Sequence, residues 1–256
     1  MKRTTLHKLI ACIPPPRFQT YLAAADGDEY RALELYRWNI DAAAAVTSTL
    51  SVVEIALRDT FDQQLRAWNV EQGGSEEWIV DPRGILAHIV RRTPKSKGDN
   101  GSHHRPGGLD HRWWEYKARQ NMKDHLGETT LHTPQHDDLV ASLSFGSWTS
   151  LIPRPTSIGG RKKAPQTTLY DRALSAWTNT CNPGSGFSAS PEVAFYRCAH
   201  LRYARNRAAH LEPLLDQEKL LSWHRTACRV TLELSSGAAE WITGPARIPR
   251  IIDKMP

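Results

Sequence analysis

The apolar and polar positions of the chain follow helical spacing over most of its length. Residues 28–69 contain neither Gly nor Pro and are rich in Ala, Leu, Glu and Arg, which favour helix. These 42 residues are long for one helix of a globular domain, so the pattern predicts a break near 38–41, where Asn39 or Asp41 caps a second helix. An apolar stripe at intervals of three and four residues predicts the core-facing side of that second helix: Leu50, Val53, Leu57, Phe61 and Leu65.

Helical patterns also cover much of the remaining chain. They span residues 81–92, 109–126, 134–144, 168–178, 190–211 and 217–234, and the fifth stops before Glu212-Pro213 because helical backbone is disfavoured before proline. No strand-like alternation and no repeat of about 20–50 residues is found. The pattern predicts an all-α protein with one helical domain over residues 1–243. The tail, residues 244–256, contains three prolines and either packs as a short arm or stays mobile.

Composition is that of an ordinary globular protein. With 256 residues, 40% of them hydrophobic, the chain can bury one substantial core or two small ones without metals or disulfides. The four cysteines show no Cys-x-x-Cys spacing, so reduced thiols are expected. The basic N-terminus is followed by an apolar run, residues 9–13, that is too short for a signal peptide. We therefore expect a cytoplasmic protein with no membrane span and no membrane partner.

The net charge of +6 is unevenly distributed. Residues 83–125 hold ten Lys or Arg against four Asp or Glu, and residues 197–210 add four Arg and no acid. A localised basic surface suits RNA binding, because neutralising phosphates supplies most sequence-independent affinity. For the first of these segments, a merely solvated charged face explains the composition equally well.

One short segment combines groups suited to RNA cleavage: Arg205-Asn206-Arg207-Ala208-Ala209-His210. A guanidinium can hold two phosphate oxygens at once, and an imidazole can take or give a proton near neutral pH, so neither role needs a metal. In a helix, Asn206 and His210 share a face, whereas Arg205 is offset by about 100° and must reach around on its stem or use a local bend. From spacing alone, His210 could equally be a buried histidine hydrogen-bonded at a helix end.

Residues 205–214 resemble the Arg-Asn-x-x-x-His signature of the HEPN superfamily, as it occurs in Abi-like (abortive infection) proteins of bacteria. Two earlier segments, residues 36–39 and 53–59, resemble the N-terminal pattern of the same family, and residues 143–148 resemble a central one. The resemblance runs from Arg17 to Leu215, with each segment in family order. It implies a HEPN-like helical bundle with basic loops.

The resemblance also implies an activity, metal-independent endoribonuclease cleavage in antiphage abortive infection or as a toxin. The 2′-hydroxyl of the RNA would attack the adjacent phosphate and leave a cyclic phosphate. His210 would be general acid or base, Arg205 would stabilise the charged phosphate, and Asn206 would position either group. HEPN nucleases place two copies of the motif at one cleft, which implies a homodimer here.

Six further residues receive supporting roles, all weaker than those of the motif. Arg197, Arg202 and Arg207 would line the cleft and bind the RNA backbone, although each could instead make surface ion pairs. The resemblance suggests that Glu54, Arg58 and Asp59 support the catalytic residues indirectly. Glu54 and Arg58, four residues apart, could instead form a simple helical ion pair.

Neither a cofactor nor a metal is expected. A cluster of four potential ligands in a Gly- and Pro-rich stretch is better explained as a solvated loop: His103, His104, Asp110 and His111. The expected partners are RNA and a second copy of the chain, and a small RNA or an antitoxin could restrain the activity. Two alternatives from other classes remain, a non-catalytic RNA-binding HEPN protein, which could hold a small RNA, and a helical protein-interaction or regulatory module.

Overall fold

The computed structural model describes residues 3–84, 86–91, 109–126, 133–152 and 191–256. The predicted helix at 168–178 and the basic loops at 93–108 and 153–165 lie outside these ranges, as do His103, His104 and the side chains of Asp110 and His111. The predicted all-α class is confirmed. Extended pairing in the described ranges is confined to a parallel contact of two residues each, between β1 (Val90–Arg91) and β2 (Leu109–Asp110).

The helices begin and end close to most of the predicted limits. In chain order they are α1 (Arg3–Ile10), α2 (Pro15–Ala24), α3 (Glu29–Glu71), α4 (Leu86–Ile89), α5 (His111–Leu126), α6 (His136–Ser142), α7 (Phe145–Ser150), α8 (Pro191–Ala209), α9 (Gln217–Leu234), α10 (Ser236–Thr243) and α11 (Arg247–Ile252). The α9 helix has the predicted limits, and the Asp216 carboxylate caps it by accepting the Lys219 amide at 2.9 Å.

These helices form two compact units. Unit 1 comprises residues 1–53 and 200–256, and unit 2 comprises residues 54–199, so the division falls within α3 and within α8. The predicted tail belongs to unit 1, where α11 buries Ile248 completely and Arg247 donates to the Ser48 hydroxyl at 2.7 Å. The tail therefore packs as an arm. The single helical domain over residues 1–243 stays a prediction.

The break predicted near residues 38–41 does not occur, because α3 is continuous. Asn39 is 1% exposed, and its side chain does not cap a helix. Its Oδ1 accepts the Leu214 amide at 2.7 Å, and its Nδ2 donates to the Glu212 carbonyl at 3.4 Å. The neighbouring Trp38 indole donates to the Ile251 carbonyl at 2.7 Å. Since a distant chain segment engages the Asn39 side chain, it does not serve as the cap of a second helix.

Helix α3 bears on the expected cellular location. It is long and apolar enough to cross a membrane by length and composition, which the sequence patterns did not indicate. A buried core helix has the same length and composition, and 44% of the most apolar 18-residue stretch of α3 is buried within the protein. The cytoplasmic location stays a prediction.

In unit 1, an apolar cluster packs α2 against the start of α3. Its fully or nearly fully buried members are Ile13, Phe18, Tyr21, Ala25, Ala32, Leu33 and Leu35. Leu215, which follows α8 in sequence, packs against the same cluster. Burial of this apolar surface therefore brings the start of α2 and the turn after α8 into one region.

In unit 2, the helix predicted for residues 81–92 was mostly wrong, since only α4 forms there. Asn69 explains the difference, because its fully buried side chain donates to the carbonyls of Ser75 and Asp81 and accepts the Arg83 amide at 2.8 Å. These bonds hold residues 75–83 as a loop. The Asp81 carboxylate pairs with Arg83 at 3.0 Å and does not cap a helix.

Candidate functional site

The end of α8 is a sharp stop built from backbone geometry. His210 donates its amide to the Asn206 carbonyl at 3.0 Å, and the Glu212 amide returns to the Arg207 carbonyl at 2.9 Å. Between them Leu211 takes a left-handed conformation, with φ of 50°. This is the Schellman arrangement, which Gly usually completes, so Leu211 costs about 1–2 kcal/mol in backbone strain. The stop leaves His210 just beyond the last helical residue.

A residue from α2 holds this turn in place. The Arg17 guanidinium donates to the His210 carbonyl at 2.8 Å, and α2 is itself held by the cluster that contains Phe18, against which Leu215 packs. The backbone of His210 is therefore attached at two points, to α8 and to α2. Arg17 was the first residue of the family resemblance, but its sequence position did not indicate this contact.

The three predicted catalytic side chains lie at this helix end. Arg205, Asn206 and His210 are all exposed, and within the described residues none of their side chains makes a hydrogen bond or an ion pair. The alternative of a buried, hydrogen-bonded His210 is thus wrong. Helix α8 is uninterrupted through Ala209, which leaves Arg205 to reach towards His210 on its own stem.

Arg207 has a different environment from Arg205, the other arginine of the motif. Its guanidinium donates to the Pro213 carbonyl at 2.7 Å and to the Tyr203 hydroxyl at 3.1 Å, and it pairs with the Glu212 carboxylate at 2.9 Å. These contacts tie the last turns of α8 to the segment that follows. Arg207 therefore stabilises the turn, whereas Arg202, half-buried, has no hydrogen bond or ion pair among the described residues.

The side of α8 next to the motif carries positive charge around an aromatic ring. Arg207 and Lys219 lie 5.6 and 5.1 Å from the ring centre of Tyr203, which packs its edge against Trp223. Burial, with a smaller contribution from the positive charge of Lys219, lowers the pKa of His200 on the same helix. The i,i+4 spacing of Tyr203 and Arg207 was visible in the sequence, but the approach of Lys219 from α9 was not.

The remaining predicted residues belong to unit 2. They are Arg197, Glu54, Arg58 and Asp59. Asp59 is exposed, and its carboxylate accepts a hydrogen bond from the side-chain amide of Gln63 at 3.0 Å. The supporting roles assigned to these four residues stay predictions.

Unit 2 contains a polar cluster that sequence reasoning missed. The Asp62 carboxylate accepts from Arg66 at 2.6 Å, from the Trp78 indole at 2.7 Å and is 3.0 Å from His136 Nε2. Burial alone would raise the pKa of Asp62, but hydrogen bonds from His136, Trp78 and Arg66 outweigh it and lower that pKa. His136 is 2% exposed, so the cluster lies in the protein interior, where it supports the fold. Asp62 and Arg66 are four residues apart, so the sequence could have indicated their ion pair. Trp78 and His136 join the cluster only through tertiary packing.

Neither a metal site nor a likeness to known proteins adds to the description of this site. In the described part of the chain, no three His, Cys, Asp or Glu side chains are placed to share a metal ion. Fold and site together define an all-α protein that presents an Arg, an Asn and a His at a helix end. No known family, curated protein or solved structure matches the chain.

Proposed function

We propose that this chain is a metal-independent endoribonuclease of the Abi-like HEPN type. The observation that carries the proposal is the exposed group of Arg205, Asn206 and His210, without side-chain partners among the described residues, on a helix end that Arg17 and the Leu211 turn hold in place. Exposed polar groups on a rigid backbone suit a site that must bind a polymer and act on it.

Each side chain has a role in the proposed reaction. His210 accepts the proton of the RNA 2′-hydroxyl or donates one to the departing 5′-oxygen. Arg205 offers two parallel N–H donors to the phosphate as its negative charge rises, and Asn206 orients the phosphate or the imidazole. The products are a 2′,3′-cyclic phosphate and a 5′-hydroxyl. Arg202 extends the positive surface for the RNA backbone, and Arg207 supports the turn.

The reaction needs both an acid and a base, and the proposed site has one histidine per chain. A second copy of the chain would supply the other histidine, so the proposal includes a homodimer with the α8 ends facing a shared cleft. The proposed setting is antiphage abortive infection or toxin action in the cytoplasm. A small RNA or an antitoxin would then restrain cleavage between infections.

The decisive experiment is cleavage of total RNA by purified protein in EDTA. Wild-type protein should leave cyclic phosphate ends, and His210→Ala should lose at least about 100-fold in rate, the usual contribution of a general acid or base. His7→Ala is the matched control, since His7 is also exposed in unit 1 but pairs only with Glu29 at 3.4 Å. Equal activity of wild type and His210→Ala would refute the proposal. RNA binding without cleavage would indicate an RNA-binding protein, and absence of both would favour a protein-interaction module.

Arg17 gives a second, structural test of the same site. Arg17→Ala removes the hydrogen bond to the His210 carbonyl, so we expect slower cleavage with nearly unchanged RNA affinity, because the imidazole loses its fixed position. Arg17→Lys keeps a donor and should recover part of the rate. A loss of affinity equal to the loss of rate would show that Arg17 binds RNA and does not position His210.

A further inference from the structure

A groove on unit 1, far along the sequence from the proposed catalytic motif, has an unusual lining. It lies between α3 and the α10–α11 segment, is open to solvent and has a volume of about 430 Å³. Val52, Ile242 and Pro245 supply apolar walls, and Ser48 and Thr49 supply hydroxyl groups. None of these residues was singled out by the sequence patterns.

Trp241 lines the groove and is 75% exposed, more than any other large apolar side chain in the described part of the protein. Helix α10 buries Ala239 and Ile242, and its register leaves Trp241 on the outside. A free indole face at the mouth of a groove is a stacking platform for a planar ring.

The groove also presents opposite charges that do not neutralise each other. Glu240 and Arg247 both line it, yet within the described residues they form no ion pair with each other or with any other group. Arg247 is held through one hydrogen bond, from Nη1 to the Ser48 hydroxyl at 2.7 Å, so its other donors remain available. A ligand that matches this lining has an aromatic ring, a hydrogen-bond donor for the carboxylate and an anion for the guanidinium.

We propose that the groove binds one unpaired nucleotide of single-stranded RNA. The base stacks on Trp241, an exocyclic amino group donates to Glu240, and a phosphate binds Arg247. Cytosine, adenine and guanine carry such an amino group, whereas uracil offers an oxygen acceptor there and would oppose the carboxylate. The site therefore prefers amino-bearing bases. It rests on the proposed RNA substrate but not on cleavage.

The test uses the full-length protein and labelled 2′-O-methyl oligocytidine and oligouridine, which cannot be cleaved by 2′-hydroxyl attack. We expect fluorescence anisotropy to give about fivefold or greater loss of oligocytidine affinity for Trp241→Ala, and recovery for Trp241→Phe. Leu232→Ala is the matched control, because Leu232 is 66% exposed but does not line the groove. Arg247→Ala should weaken binding and flatten its salt dependence, whereas Arg250→Ala, also exposed on α11, should do so less.

Glu240→Gln tests the contact to the base. Wild-type protein should bind oligocytidine about three- to tenfold more tightly than oligouridine, and the amide of the variant, which can also donate, should narrow that ratio. Unchanged affinity in Trp241→Ala, or an equal loss in Leu232→Ala, would overturn the proposal. Tight, Trp241-dependent binding of free cytidine monophosphate would also overturn it. The same holds if Trp241→Ala alters the oligomeric state while RNA binding stays intact. Loss of cleavage in His210→Ala with unchanged oligonucleotide affinity separates this groove from the proposed catalytic site.

Discussion

Replacing Asp62 with Ala removes the acceptor that three side chains of unit 2 share. The carboxylate is 13% exposed and serves Arg66, Trp78 and His136. The Trp78 indole and the His136 ring are then left buried without this partner, at about 1–3 kcal/mol each. Arg66 is 28% exposed and keeps its contact with Asp137 at 2.6 Å, so its charge adds little.

We therefore expect Asp62→Ala to lower the free energy of unfolding by about 2–6 kcal/mol, the combined cost of leaving these two buried donors without their acceptor. Urea unfolding followed by tryptophan fluorescence measures it. Asp59→Ala is the control on the same helix, because its exposed carboxylate accepts only the Gln63 amide, and a change within about 0.5 kcal/mol is expected. A loss for Asp62→Ala of less than about 1 kcal/mol would refute the argument.

The same carboxylate predicts a dependence on pH. The pKa of Asp62 is lower in the folded protein than its ordinary value of 3.8, so the unfolded chain binds the proton more readily. The stabilisation is complete above the ordinary value and disappears as the pH falls through the lowered pKa. As the pH falls from 7 to below 3.8, wild-type protein should lose more stability than Asp62→Asn, which has no such carboxylate. Parallel acid dependence in both proteins would contradict this assignment.

Three further perturbations probe the fold. Asn39→Ala leaves the buried Leu214 amide without its acceptor and should cost about 1–3 kcal/mol in unfolding free energy. Gly74→Ala places a Cβ 2.6 Å from Asn69 Nδ2 and should cost about 1–3 kcal/mol by the same measurement, since the buried amide cannot move freely. Burial, with a contribution from Arg225, lowers the pKa of His224 below 6.5, so stability should fall as the pH drops below that value, and His224→Gln should reduce the fall seen by urea unfolding.

Each of these has a matched control in the same unit or of the same residue type. Ile40→Ala, beside Asn39 but 41% exposed, should cost little. Gly237→Ala meets no atom closer than 3.9 Å and should be neutral or slightly stabilising, because Ala favours helix. His7→Gln, on an exposed histidine, should leave the acid dependence nearly unchanged. The steric argument fails if both glycine variants lose the same stability. The burial arguments fail if Ile40→Ala costs as much as Asn39→Ala, or if His7→Gln changes the acid dependence as much as His224→Gln.

Local pattern was enough to predict the all-α class, the limits of α9, the buried stripe of α3 and the placement of Arg205, Asn206 and His210 near one helix end. Helical periodicity and the disfavoured Glu212-Pro213 junction are properties of neighbouring residues, so a single sequence contains them. The apolar faces could be read for the same reason, since one side of each helix must leave water.

Partners distant in sequence decided the rest. Asn39 looked like a helix cap, but its side chain bonds to residues 212–214, and α3 continues through it. Arg207 was predicted to bind the RNA backbone, with a surface ion pair as the alternative, and the segment after α8 supplies that ion pair through Glu212 and an acceptor through the Pro213 carbonyl. A side chain's polar atoms take whichever partners the packed chain brings to them, because a buried donor or acceptor without one is costly. Local spacing therefore determined which helices and polar groups exist, and tertiary packing determined which of those groups support the fold and which stay exposed.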